Sequence, residues 1–211
     1  MIVTLDGPGG TGKSTVSQVV AHKAGLPHLD TGAFYRAATL AVLEAGVDPS
    51  DGLEVLGVVS GARLAQESGR MYLNGRDVST EIRGEAVTGA VSAVSAHPAV
   101  RKRLVDMQRE WAEAHGGGVV EGRDIGSVVF PDASVKVFLD ASPEVRARRR
   151  ALETGESAVD VLEDLSRRDR LDSTREASPL TIPEGAVVVD TSDLTFDEVV
   201  DKVLGLISAK S

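Results

Sequence analysis

The stretch IVTLDGPGGTGKSTVSQVVAHKAG, residues 2–25, constrains the fold more tightly than any other part of the chain. IVTL is an apolar run suited to a short buried strand. VSQVVAHKAG places apolar residues at helical spacing and closes on a glycine, so the order is strand, glycine loop, helix. Gly7 to Ser14 match G-x-x-x-x-G-K-[ST], and the motif stands in the strand-to-helix setting its chemistry needs. Glycines let backbone N–H groups turn inward towards phosphate oxygens, and a helix that begins near Lys13 adds the positive end of its dipole. Gly7, Pro8, Gly9, Gly10, Thr11, Gly12, Lys13, Ser14 and Thr15 are therefore the candidate donor-phosphate site. Lys13 is expected to bridge the β and γ phosphates of a bound nucleotide. Ser14 is expected to offer its hydroxyl to Mg²⁺, a cation that prefers oxygen ligands.

The remaining segments alternate strand-like and helix-like patterns. HLD leads into a helix expected from about Thr31 to Gly46. Residues 50–96 change texture: a helix-like piece, two β-like runs flanking a hairpin turn at Ser68-Gly69, then small residues at helical spacing. A long helix is expected from Pro98 to about Ala114, then the strand VVEG and the strand SVKVFLDA. A helix capped by Ser142 with Pro143 at its first position follows. A second helical stretch, 157–171, runs into DSTREASPLTIPEG, which has no periodicity and reads as a mobile loop. AVVVDT and TFDEVVDKVLGLIS close the chain as strand and helix. Apolar strands alternating with helices imply a parallel sheet covered on both faces.

Composition narrows the function classes. A net charge of −9 argues against general nucleic-acid binding, which relies on a positive field. No apolar stretch is long enough to span a membrane, and Met1 leads directly into IVTL, so a cytoplasmic protein with no membrane partner is expected. There is no cysteine, and His22, His28, His97 and His115 lack metal-ligand spacing. Arginine outnumbers lysine 17 to 6 and concentrates in VRARRRA and RRDRLDSTR. A guanidinium is a rigid fork suited to phosphate, so local anion clamps on an acidic globule are one reading, and solvated helix faces are the other.

VVEGRDIGSVVFPDA, residues 119–133, ends a valine run in Glu121, Gly122, Arg123 and Asp124. Charges at the end of a buried strand form either a surface turn or a site. A phosphate loop also serves switches, but the guanine-reading N-K-x-D is absent. In order and spacing, DTGAFYR, LNGRDVSTEIR, EGRDIGSVVFPDA, VKVFLDAS, RRDRLDSTREASPL and VVVDTS resemble the bacterial cytidylate kinases over nearly the whole chain. The fold implied is α/β: a P-loop three-layer sandwich with a central parallel sheet, an inserted acceptor-nucleotide-binding region and a mobile lid. The expected division is one P-loop kinase domain over 1–211, with core segments 1–48, 97–155 and 181–211. The acceptor-binding insertion is placed at about 49–96 and the lid at about 156–180.

By the same resemblance, Glu121 holds Mg²⁺ through water opposite Ser14, with Asp140 as the competing carboxylate. Arg123 grips the acceptor phosphate. Asp124 takes the exocyclic amine of cytosine, a pairing that base chemistry also favours because N4 is a donor where uracil has an acceptor. Thr31, Tyr35 and Arg36 are carried to the acceptor site, with Arg36 on the phosphate, and Ser92 and Arg101 join Asp124 around the base. Arg168 and Asp172 handle ribose and phosphates, and Arg175 reaches the phosphoryl group in transit. If helix persists to Asp172, these three share one face. Arg146, Arg149 and Arg150 stay outside this set. The chain departs from the family in a shorter link between RRRA and RRD and in Leu171.

The implied reaction is ATP + CMP or dCMP to ADP + CDP or dCDP, with Lys13, Arg123, Arg168 and Arg175 as catalytic groups in a monomer. The competing readings are a kinase for another nucleoside monophosphate such as UMP, and a non-catalytic nucleotide-gated binding protein.

Overall fold

The structure is a computed structural model that describes residues 1–174 and 178–210. Its elements begin β1 (Ile2–Asp6), α1 (Lys13–Ala24), β2 (His28–Asp30), α2 (Thr31–Glu44) and α3 (Gly52–Gly61). There follow β3 (Leu64–Glu67), β4 (Arg70–Leu73), β5 (Arg76–Asp77), α4 (Glu85–Ala96) and α5 (Pro98–Ala114). The chain continues with β6 (Gly118–Gly122), β7 (Val135–Asp140), α6 (Pro143–Thr154), α7 (Ala158–Thr174), β8 (Val187–Asp190) and α8 (Phe196–Ser208). Two compact units result, one of residues 1–28 and 112–211 and one of residues 29–111.

A five-stranded sheet runs in the order β2-β6-β1-β7-β8. Strands β6, β1, β7 and β8 pair in parallel, with β1 between β6 and β7. Parallel strands inside a sheet are buried along their length, which is why IVTL and VVEG show no alternation. Leu5 lies beside Glu121 and Asp6 beside Gly122, so the glycine loop and the segment after Gly122 leave the same edge of the sheet. Val3, Leu5, Val119, Val137 and Leu139 pack with Val16 and Val20 of α1 and with Val199, Val200, Val203 and Ile207 of α8. Each such fully buried side chain contributes about 1.5–3 kcal/mol of transfer free energy.

Helices α6 and α7 carry their own small cluster of Ala147, Val161 and Leu165. Here α7 runs to Thr174, three residues past the limit read from the pattern, so Asp172, Ser173 and Thr174 are helical and not loop. The Thr174 hydroxyl donates to the Arg170 carbonyl at 2.8 Å, and the Leu180 N–H donates to the Asp172 carbonyl at 2.8 Å.

The second unit holds α2, α3, the β3-β4-β5 meander, α4 and most of α5. Ala38, Val42, Val55, Val59, Val94, Val100 and Leu104 form its core. Ser68 and Gly69 both take positive φ, 49° and 76°, as a two-residue hairpin demands. Asn74 and Gly75 repeat the device at 52° and 84°, so the second β-like run is two strands and not one. Asn-Gly is itself the signal for that turn. Among the described residues no helix is long and apolar enough to cross a membrane.

Candidate active site

Gly7 leaves β1 with φ 143°, and a Cβ there would stand 2.0 Å from the Leu139 carbonyl oxygen, so only glycine fits. The carbonyls of Gly7, Pro8 and Gly9 each meet a cation. Arg123 Nη1 donates to Gly7 O at 2.6 Å, Lys13 Nζ to Pro8 O at 2.7 Å and Arg146 Nη1 to Gly9 O at 3.0 Å. The Thr11 hydroxyl adds a bond to Pro8 O at 3.1 Å. Helix α1 then starts after Gly12, which is left-handed and gives no side-chain cap. By contrast α2, α6 and α8 are capped by Asp30, Ser142 and Thr195. A helix start without such a cap leaves its first N–H groups for an anion. Lys13 lies buried at that start, while Ser14 and Thr15 are exposed.

Ser14 Oγ lies 3.0 Å from Glu121 Oε2, so α1 and the end of β6 bring together the two oxygen donors read from the sequence as metal ligands. His28 Nε2 stands 3.6 Å from Glu121 Oε1 and 2.8 Å from Ser17 Oγ, and Ser17 donates to Ser14 O at 3.0 Å. Among the described residues no group of three or more His, Cys, Asp and Glu gathers as a metal cage. Mg²⁺ at phosphate sites uses one or two protein oxygens beside phosphate and water, so a hydroxyl and a buried carboxylate fit it. Asp140, the competing carboxylate, instead turns Oδ1 to the Ala141 N–H at 2.9 Å.

Asp124 is buried, 4% exposed, and opens a single π-helical turn, Ile125–Val129. That turn is fixed by a residue the sequence reading passed over. Asp6 accepts from the N–H groups of Ile125 at 2.7 Å and Gly126 at 2.8 Å, one on each carboxylate oxygen. Burial raises its pKa from 3.8 to about 6; the two N–H bonds and Lys13 pull it down, and the neighbouring Asp124 charge pushes it up. Arg123, besides Gly7 O, places Nε 2.9 Å from Asp172 Oδ2 on α7. Gly122, before it, is half-buried at the end of β6.

In the second unit Thr31 is buried at the first position of α2, with Tyr35 and Arg36 half-buried a turn along. Arg36 Nη1 donates to Ile82 O at 3.1 Å and to the Thr88 hydroxyl at 2.9 Å. The Arg101 guanidinium stands 5.1 Å from the Tyr35 ring centroid, and its Nη1 reaches Ser95 O at 3.4 Å. Arg101, which the resemblance carries to the acceptor base, is 3% exposed, unlike an ordinary solvated helix arginine. Ser92 lies half-buried on α4.

Of the α7 group, Arg168 falls within the helix and Arg175 lies outside the described residues. Arg149 donates to Thr191 Oγ1 at 2.9 Å and Thr191 O at 2.6 Å, while Arg150 pairs with Glu153 at 3.0 Å. Arg146 lies outside the site set read from the sequence, where its helix reads as either an anion clamp or a solvated face.

A glycine loop between a central parallel strand and an uncapped helix, backed by lysine and arginine, defines a P-loop α/β fold. The same fold occurs in a gluconokinase from Sinorhizobium meliloti 1021, with a TM-score of 0.54 at 17% identity over 99% of this chain and 93% of that one. Within that class, the cytidylate kinase family model matches residues 3–209. The cytidylate kinase of Mycobacterium leprae (strain Br4923) is 52% identical, covering 100% of this chain and 97% of its own length. That of Mycolicibacterium paratuberculosis (strain ATCC BAA-968 / K-10) is 52% identical over 100% of this chain and 96% of the relative. The chain belongs to the cytidylate kinase family.

Proposed function

We propose that the chain transfers the γ-phosphoryl group of ATP to CMP or dCMP, giving ADP and CDP or dCDP. The observation that carries this reading is the uncapped start of α1 at Lys13, with the Ser14–Glu121 oxygen pair 3.0 Å apart beside it, in a chain of this family. The loop N–H groups and Lys13 take the donor phosphates, with Lys13 exchanging the Pro8 carbonyl for phosphate oxygens. Ser14 and Glu121 hold Mg²⁺, which supplies charge neutralisation at the donor phosphates when bound.

Arg123 holds the acceptor phosphate and Asp124 receives the cytosine amine. Asp6 fixes the N–H groups that follow Asp124 and so orients both. In the second unit Arg36 serves the acceptor phosphate, and Thr31, Tyr35, Ser92 and Arg101 serve the nucleoside. Arg168, Asp172 and Arg175 serve ribose and phosphates from the lid. An oxygen of the acceptor phosphate attacks in line. A new P–O bond forms at the γ phosphorus while the bond to the β–γ bridging oxygen breaks and ADP leaves. That nucleophile is largely ionised near neutral pH, since its second pKa is about 6, so no general base is required. Catalysis rests on positioning and on cations that meet developing charge.

We further place the protein in the cytoplasm as a monomer acting on small nucleotides, without nucleic-acid or membrane partners. The one-domain division with an insertion at about 49–96 and a lid at about 156–180 belongs to the same proposal. Initial rates with ATP and CMP, dCMP, UMP or AMP test the reading. Turnover of CMP and dCMP well above UMP and AMP is expected. Preferred phosphorylation of UMP, or ATP binding without transfer to any of the four, overturns it.

A further inference from the structure

Among the three cations on successive loop carbonyls, Arg146 differs in kind. Lys13 and Arg123 sit where the proposed reaction needs them on phosphate, so their bonds to Pro8 and Gly7 are ones a nucleotide would displace. Arg146 is held on several sides by protein. Its Nε donates to Ala141 O at 3.2 Å, its Nη1 donates to Gly9 O at 3.0 Å, and the same Nη1 meets Asp169 Oδ2 at 2.6 Å. The side chain is 7% exposed, and the acid that neutralises it is 20% exposed. A guanidinium buried this deeply persists only with its partners in place. The loop also lies directly on this residue: a Cβ at Gly10 would be 3.0 Å from both the Cβ and the carbonyl oxygen of Arg146. Asp169 is one helical turn from Asp172, which takes Arg123 in the same way.

We infer that Arg146 is a positioning residue that holds the Gly9 carbonyl away from the cradle and, through Asp169, ties the seating of α7 to the shape of the donor-phosphate loop. The inference rests on the proposed reading of the loop as the ATP site. With the Gly9 carbonyl turned to Arg146, the loop N–H groups face the phosphates. With α7 displaced, Asp169 leaves a buried cation without its counter-charge, and the Gly9 carbonyl loses its fixed partner. Donor affinity therefore depends on α7 being docked, while acceptor affinity does not pass through Arg146.

The test measures the Kd for ATP by calorimetry without Mg²⁺, and the KM for ATP and CMP, in wild type, Arg146→Met, Arg146→Lys and Asp169→Asn. Arg146→Met should weaken ATP about tenfold or more, as loss of charge-assisted bonds implies, with the CMP KM within about threefold. Asp169→Asn should weaken ATP about threefold or more, and the double variant should be no worse than Arg146→Met, because the two act as one unit. If Arg146 instead bound ATP directly, Asp169→Asn would release it and leave ATP affinity unchanged or tighter, which overturns the inference. Equal losses for ATP and CMP also overturn it. Should Arg146→Met fail to fold by circular dichroism, Asp169→Asn and Arg146→Lys decide by the same ATP-against-CMP criterion. If wild type binds ATP but does not phosphorylate CMP, the functional reading fails while the ATP affinities still test the coupling.

Discussion

The sheet that carries the phosphate loop and the helix pair α6–α7 beside it are built from different forces. The sheet rests on a broad apolar cluster in which Val3, Leu5, Val137 and Leu139 are wholly buried. Among the described residues the helix pair has a small buried cluster of Ala147, Val161 and Leu165, and it meets the loop segments through the pairs Arg146–Asp169 and Arg123–Asp172. Apolar packing is indifferent to a phosphate arriving nearby, whereas ion pairs compete with it directly. The sheet is packed dry, and the helix pair beside the loop is docked largely by charge.

The largest effect that tests this contrast is on chemistry. Lys13→Ala should lower the transfer rate by about a thousandfold or more, in line with loss of a transition-state cation, while the thermal midpoint stays near wild type. A parallel fall in both would mean that the loop's cation also supports the sheet. Next comes packing. Leu139→Ala should cost about 2–5 kcal/mol, read as a lower denaturant midpoint, and Leu165→Ala clearly less, because its small cluster can close around the gap. Similar losses at the two sites would erase the distinction.

Asp6 gives a pH test. Its folded pKa of about 6 lies above 3.8, so between those values the native state holds a proton that the unfolded chain has released. Its contribution is therefore most favourable below about pH 4 and declines as pH rises to about 6. The stability of wild type relative to Asp6→Asn should fall by up to about 3 kcal/mol from pH 4 to pH 7, measured by urea titration. A flat difference would show that the two N–H bonds fully offset burial. Asp124→Asn should narrow the CMP-to-UMP preference about tenfold in kcat/KM, with stability little changed; an unchanged preference removes Asp124 from base reading. Smallest is salt: raising it from 50 to 500 mM should speed amide exchange in 158–174 about twofold or threefold and leave β1 and β7 unaffected.

How far the sequence can be read follows the same division. The unit β1, loop, α1 was legible because its spacing, glycines and lysine are all local. The Ser142-Pro143 helix start was legible for the same reason. The end of α7 was not, because Asp172 is held by Arg123, far away in sequence, and a 3.6-residue period does not register that. Asp6 could not be singled out either, since only the register that sets β1 against β6 brings it to Ile125 and Gly126. Arg146 lies in an arginine-rich helix that reads as either an anion clamp or a solvated face, and Arg101 is raised by the resemblance alone; only packing distinguishes a buried guanidinium from an exposed one. Asn74-Gly75 was a legible turn that a reading centred on Ser68-Gly69 overlooked.

The contact between Gly7 and Leu139 has a mechanical consequence. With no room for even a methyl group at residue 7, the first residue of the glycine loop lies flush against the backbone of the neighbouring strand. A substitution that shifts β7 at Leu139 is therefore expected to shift the start of the glycine loop with it.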